Sequence, residues 1–232
     1  MVPSRRRRRP AARAASARVP SGVVARDERI LLVGAASFAE EITDLCRSSG
    51  VQVAGWIEGL DPAAADPTAD PPIVWVDDQA AFEPDLPILP AIGSVARRAI
   101  VERLVGEGRR LATFVHPTAV VAPSAELDAG VVVFPLVVIG ARTRIGRATI
   151  VNRGCLIGHH TTIGPFSFLG PGANVAGKVT VGEGVHIGIG AIVRDRVTIG
   201  DGAVVGSGAV AVGDVRAGAT VMGIPARERA AP

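Results

Sequence analysis

The sequence predicts a small α/β domain with a parallel, Rossmann-like sheet, followed by a parallel β-helix. Three observations carry this. From Val115 to Val205 every sixth residue is Val, Ile or Leu, sixteen in succession without an insertion. Ahead of that run, residues 29–57 read as strand, tight turn, amphipathic helix and strand. Aromatic residues make up only 3% of the chain and Tyr is absent, while Gly numbers 28. The core must therefore be aliphatic, and so much Gly fits a regular backbone that needs it at fixed positions.

A length of 232 residues suits one large domain or two small ones. The formal net charge of +3 is misleading. Residues 1–26 hold eight Arg and no acid, which leaves 17 basic and 22 acidic residues, a net of −5, for the rest. Residues 1–27, with the run Arg5–Arg9, are expected to form a disordered tail. With 24 Arg against the single Lys178, that run reads as compositional bias, so no nucleic-acid partner is expected. Cys46 and Cys155 alone do not make a disulfide framework and fit a reducing, cytoplasmic setting. No apolar run is long enough to span a membrane, and no apolar segment follows Arg9 as a secretory signal would require.

The first domain is expected over 28–111. Arg29–Val33 is a short buried strand, and Gly34-Ala35-Ala36 a tight turn. Ser37 is the predicted N-cap, with Glu40 completing a capping box. Phe38, Ile42, Leu45 and Cys46 share one helical face, and Gly50 ends the helix. Val51–Ile57 is the second strand, so the sheet should be parallel. Residues 59–72 form a loop, Ile73–Val76 and Ile88–Ile92 further strands, and Ser94–Val105 a helix closed by Gly106 and Gly108. Ligands bind such sheets at the carboxyl ends of the strands, near a helix N-terminus. This singles out Gly34, Ala36, Ser37, Phe38 and Glu58. The dinucleotide fingerprint is absent, which argues against a nicotinamide enzyme.

The second domain is expected over 112–232. Six residues make one flat strand and one corner, and three such units close a triangular coil of eighteen. Each aliphatic residue then points inward and stacks on its counterpart one coil away, as Val151, Leu169, Ile187 and Val205 would. The residue four places after each aliphatic is always small or β-branched, and the residue just after is Gly at nine of sixteen positions. Coils should stack about 4.8 Å apart, as neighbouring strands do. Cys155 occupies a small-residue position, so packing explains it. The period decays after Val205, and residues 206–232 should cap the open end.

Several segments together resemble the sialic acid O-acetyltransferase and nucleotide-sugar 4-amino N-acetyltransferase family of hexapeptide-repeat acyltransferases. They are ILLVGAASFAEEI at 30–42, AIGSVARR at 91–98, FVHPTAVV at 114–121, the run from Val151 to Gly184, and GIPAR at 223–227. The resemblance covers residues 29–229 and implies a left-handed β-helix, acetyl-CoA as donor, a sugar or nucleotide-sugar acceptor and no metal. It also implies a homotrimer with the site between adjacent β-helices. His159 matches the family's general base, and His160 stands where an acidic residue commonly follows it. Phe168 stands where relatives often have a His near acetyl-CoA, and Ala36-Ser37-Phe38 replaces Gly-Gly-His in the loop that meets the nucleotide-sugar. By the same resemblance Gly93 belongs with the acceptor residues. Gly177, Ile189, Gly206, Ser207 and Arg227 belong, with Phe168, to the coenzyme A side.

Acyl transfer from a thioester needs a base for the attacking nucleophile and a donor for the oxyanion. A positioned imidazole meets the first need, and a backbone N–H at Gly170 or Gly177 could meet the second. Each His also has a plainer reading. His159 and His160 sit at outward positions of their repeat, His116 in a turn and His186 at a corner. A zinc enzyme would need three convergent imidazoles, and the spacing of these four does not supply them. Two alternatives stay open: transfer to a hydroxyl instead of an amine, and a catalytically degenerate trimeric nucleotide-sugar-binding or scaffold protein.

Overall fold

The computed structural model describes residues 23–229, so the expectations for Arg5–Arg9 fall outside the described residues. Residues 23–27, which composition groups with the tail, pair with the folded chain: Val24 N–H donates to Thr113 O at 2.8 Å, and Asp27 N–H to Gly50 O at 2.8 Å. Among the described residues no helix is long and apolar enough to cross a membrane.

The first unit comprises β1 (Arg29–Val33), α1 (Ser37–Ser48), β2 (Gln52–Glu58), β3 (Ile73–Trp75), β4 (Ile88–Pro90) and α2 (Arg97–Gly106). Its four strands are parallel in the order β3-β2-β1-β4. Alternation along β1 sends Ile30 and Leu32 toward Ala39, Ile42 and Cys46 of α1. Leu31 and Val33 pack with Ile100, Val101 and Leu104 of α2 on the other side. Both faces of the sheet are thereby covered, as a parallel sheet requires. Gly50, at φ +82°, closes α1, where its N–H donates to Arg47 O and the Val51 N–H to Cys46 O.

Two helix starts differ from the sequence expectation. Ser37 is the first residue of α1, and the capping box with Glu40 does not form. The N-cap is Ala36, with extended backbone and no side-chain bond. Gly34 sets this geometry: at φ +124° it lies so close to Ala91 and Ile92 that a Cβ would sit 2.7 Å from Ile92 Cγ1. Helix α2 begins at Arg97, because Ser94–Ala96 form a turn whose Ser94 carbonyl accepts from the Arg97 side chain at 2.8 Å.

The second unit is a left-handed parallel β-helix of two-residue strands. Three faces carry eight, six and five strands, and the chain visits them in that order. Every rung pairs residue i with i+18, as in Val133↔Val151↔Leu169↔Ile187↔Val205. The inward aliphatics from Leu127 to Val205 are all buried. The small-residue positions do more than fit. Thr143, Thr149, Thr161 and Ser167 are buried, and each hydroxyl donates to the carbonyl fifteen residues on, at 2.8–3.0 Å. Glycine after the aliphatic lets the coils touch: a Cβ on Gly140 would sit 2.7 Å from His159 N. Past Val205 the rung shortens to sixteen residues, Val204↔Thr220. The strands Thr220–Met222 and Arg227–Glu228 then pair antiparallel at the end.

The outward residues give each face its own chemistry. On the eight-stranded face Phe114, Val132 and Ile150 are buried under the first unit. On the six-stranded face Val120, Val138, Leu156 and Ile192 are exposed. On the five-stranded face the outward residues are Glu126, Arg144, Thr162, Thr180 and Thr198.

Arg97 joins the two units. It is fully buried, and burial draws its guanidinium down to about 10. Besides the Ser94 carbonyl, it donates to Ala148 O at 3.1 Å, Phe166 O at 2.6 Å and Ser167 O at 2.7 Å. Beside it Phe38 stacks on Phe134, centroids 5.7 Å apart, and meets Phe168 edge-on at 6.2 Å. Replacing Arg97 with Ala should cost about 2–4 kcal/mol of unfolding free energy in urea denaturation, because charge-assisted bonds to buried carbonyls are lost together. A variant as stable as the wild type would show that apolar packing alone holds the units together.

Candidate active site

His159 and His160 lie at the corner between the six- and five-stranded faces, and both are exposed. Their rings are held against each other, with Nδ1 3.0 Å from Nδ1 and the planes at 88°. One ring must donate and the other accept. If the His159 Nδ1–H donates to His160, the His159 Nε2 lone pair is left free, which is the tautomer a base requires. The Nε2–Cε1 edge of His159 lies over Gly177, one coil on, where a Cβ would come within 2.9 Å of Nε2. Any side chain at 177 would displace the ring.

The two candidate oxyanion donors separate clearly. The Gly170 N–H is spent on the coil ladder, donating to Ile187 O at 2.7 Å. The Gly177 N–H has no protein acceptor among the described residues, while its neighbours Ala176 and Lys178 donate to Val193 O and His159 O. Next to an exposed imidazole, a free N–H is the pairing that acyl transfer needs.

The remaining candidates fall elsewhere on the prism. Ile189, Gly206 and Ser207 lie on the corner between the eight- and six-stranded faces, with Ile189 60% exposed. Arg227 sits on the terminal hairpin and helps line a hollow of about 410 Å³ at the end of the helix. Phe168 is half-buried on the eight-stranded face, where a Cβ on Gly93 would touch it at 3.5 Å. Gly34, Ala36, Ser37 and Phe38 form the mouth of the sheet over that same face. Glu58 is buried, and its Oε1 accepts from the N–H groups of Gly59, Leu60 and Asp61, which leaves Oε2 as the free acceptor. Within one chain, then, the sheet mouth and His159 belong to different edges of the triangle.

The other histidines and Cys155 have local explanations. The His116 Nδ1 accepts from the Thr118 N–H at 3.2 Å, and burial lowers its pKa, so it braces a turn. His186 is not at a corner as expected: the eighteen-residue rung places it on the eight-stranded face, beside Phe168. It stacks on that ring at 5.1 Å, and its pKa is lowered by burial and then by the Arg97 charge. The Cys155 thiol is buried and pushed up to about 12, a poor nucleophile. Among the described residues no three His, Cys, Asp or Glu side chains converge as metal ligands would.

Sequence reading missed a hollow of about 440 Å³ beside His160, lined by Ser124, Glu126, Arg142, Arg144 and Thr162. The six-residue period tracks the inward positions, whereas these side chains come together only at the eighteen-residue spacing of two adjacent outward columns.

Residues 178–211 match the bacterial transferase hexapeptide (six repeats) family. Comparison with curated proteins gives no match. Among solved structures, the chain is similar to perosamine N-acetyltransferase from Caulobacter crescentus, seen as a His-to-Asn variant in complex with CoA and GDP-perosamine. The two are 30% identical over 88% of this chain and 98% of that one, with a TM-score of 0.79. The acetyltransferase domain of PglB from Neisseria gonorrhoeae, in complex with acetyl coenzyme A, is 29% identical over 87% and 99% of the two chains, TM-score 0.79. WeeI from Acinetobacter baumannii is 26% identical over 87% and 100%, TM-score 0.76. The scaffold alternative therefore falls away, and the chain belongs to the hexapeptide-repeat, CoA-dependent N-acetyltransferases that transfer an acetyl group to nucleotide sugars.

Proposed function

We propose that this enzyme acetylates an amino group on a nucleotide-linked sugar, with His159 as general base, at a site completed by a second copy in a homotrimer. The observation that carries the reading is the juxtaposition of a free imidazole edge at His159 with the unpaired N–H of Gly177. Similarity to an enzyme solved with CoA and GDP-perosamine supports the amine acceptor over a hydroxyl.

In the reaction the sugar nitrogen attacks the thioester carbonyl, and its proton passes to His159 Nε2. The His160 ring, bonded through Nδ1, holds the His159 tautomer and shares the charge that develops. The Gly177 N–H faces the oxyanion. Collapse of the tetrahedral intermediate expels the coenzyme A thiolate, which takes the proton back from His159. General-base help of this kind is worth about 10²–10⁴-fold, and the rest comes from holding donor and acceptor together.

The trimer rests on the six-stranded face. Its exposed column, aliphatic at Val120, Val138, Leu156 and Ile192 and polar only at Asn174, is flanked by the His159 corner on one side and the Ile189–Ser207 corner on the other. Burying that column around a threefold axis sets the His159 edge of one copy beside the Ile189 edge of the next. The acetyl-CoA groove then lies between copies, with Gly177, Ile189, Gly206 and Ser207 along it and Phe168 and Arg227 as outer contacts. The sheet mouth of Gly34, Ala36, Ser37, Phe38, Glu58 and Gly93 presents the nucleotide-sugar. We place the reaction in the cytoplasm, where acetyl-CoA is available.

Replacing His159 with Ala should lower kcat by about 10²–10⁴-fold while acetyl-CoA still binds, as read by thiol release and calorimetry. A variant that keeps wild-type turnover would remove His159 from the mechanism. Leu156→Arg puts a charge in the middle of the aliphatic column and should yield folded but inactive monomer by sedimentation. An active Leu156→Arg trimer would move the interface to another face.

A further inference from the structure

Along the β-helix one corner residue in every six takes a left-handed conformation, from Gly130 to Gly208 without a gap. At two of the three edges this position holds only Gly, Ala, Leu and Phe. At the edge that carries His159 it holds Arg142, His160, Lys178 and Arg196, with φ between +57° and +62°. Left-handed backbone strains any residue with a Cβ and favours Gly. This edge therefore keeps a column of basic side chains against the backbone preference, and the chain's single Lys is among them.

Part of the column is a formed hollow. Ser124 Oγ accepts from the Arg142 N–H at 3.1 Å, which fixes the root of that side chain. Arg144 is paired with Glu126 at 3.0 Å, whereas the Arg142 guanidinium has no partner among the described residues. His160 and Thr162 close the far wall. Within the hollow one full cation, a neutralised pair, two hydroxyls and an imidazole converge on open space.

Resting on the reading above, we infer that this hollow is a phosphate subsite for the acceptor, binding the diphosphate that links sugar to nucleotide. Two lengths argue for the acceptor over the donor. A sugar joined through its anomeric oxygen carries phosphate about one ring's width from a ring amine, and Arg142 lies one coil, about 4.8 Å, from His160. Coenzyme A carries its first phosphate a whole pantetheine arm away from the thioester. Guanidinium groups pair with phosphate bidentately, so Arg142 would fix the distance between anomeric phosphate and base as well as supply affinity. Free amino sugars would then be poor acceptors.

The test is calorimetric titration of the full-length protein, saturated with CoA, by inorganic pyrophosphate. CoA fills its own phosphate sites, so only the acceptor side can respond. Wild type should bind pyrophosphate. Arg142→Ala should weaken it by roughly tenfold or more with unchanged acetyl-CoA affinity, and Glu126→Gln, which frees Arg144, should tighten it. Absence of pyrophosphate binding to wild type, or equal binding to Arg142→Ala, would overturn the subsite. Loss of acetyl-CoA affinity in Arg142→Ala would hand the hollow to the donor and overturn it equally. Failure of the acetyltransferase reading itself would look different: acetyl-CoA would not bind the wild type.

Discussion

The structure depends on one constraint, the ladder that locks residue i to residue i+18. Successive coils hydrogen-bond through their backbones, and no rung between Phe114 and Val205 departs from the spacing. Each inward position must therefore carry a side chain that fits the one above and below it, which makes the aliphatic column obligatory. Each buried hydroxyl from Thr143 to Ser167 finds a carbonyl in the next coil for the same reason. A buried hydroxyl left without an acceptor would be penalised, whereas here each one ties two coils together.

The same register stacks outward positions into columns of differing character. One column, apolar at Phe114, Val132 and Ile150, is covered by the α/β unit; a second, aliphatic except at Asn174, is left bare; the third is threonine-rich and charged. At the left-handed corner position, too, the cations fall only on the edge of His159. Function follows from which columns are neighbours. The bare apolar face lies between the edge bearing His159 and the edge bearing Ile189 and Ser207, so the proposed trimer would join the two. Arg97 contributes at the opposite side. By holding four carbonyls, three of them in the β-helix, it fixes the height of the sheet mouth along the prism.

Much of this was legible in the sequence, because the inward pattern has a period of six and the βαβ opening has the usual turn and helix signals. The second unit, the parallel sheet and the outward placement of His159 and His160 followed from pattern alone. Other features did not, for physical reasons. Ser37 has the right side chain for a cap, yet Gly34 and its contact with Ile92 shift the helix start by one residue. His186 looks like a corner residue until the rung places it on a strand beside Phe168. Arg97 sits in AIGSVARR with nothing local to mark it, since three of its four carbonyl partners lie 51 to 70 residues away. The Arg142 hollow was invisible because its members are related by eighteen, and a reading tuned to six passes over them. Only the hydrogen bonds separate Gly177, with a free N–H, from Gly170, whose N–H is bonded to Ile187 O.

In the proposed trimer one copy supplies the base and its neighbour presents the acceptor. The most direct test mixes two inactive variants. His159→Ala lacks the base, and Ala36→Trp blocks the exposed sheet mouth while leaving the β-helix untouched. Each alone should be inactive. Trimers that contain both, made by co-expression with two affinity tags, should recover turnover, because some interfaces then pair an intact mouth with an intact His159. Mixed trimers as inactive as either parent would show that each chain carries its own complete site, and would contradict the account.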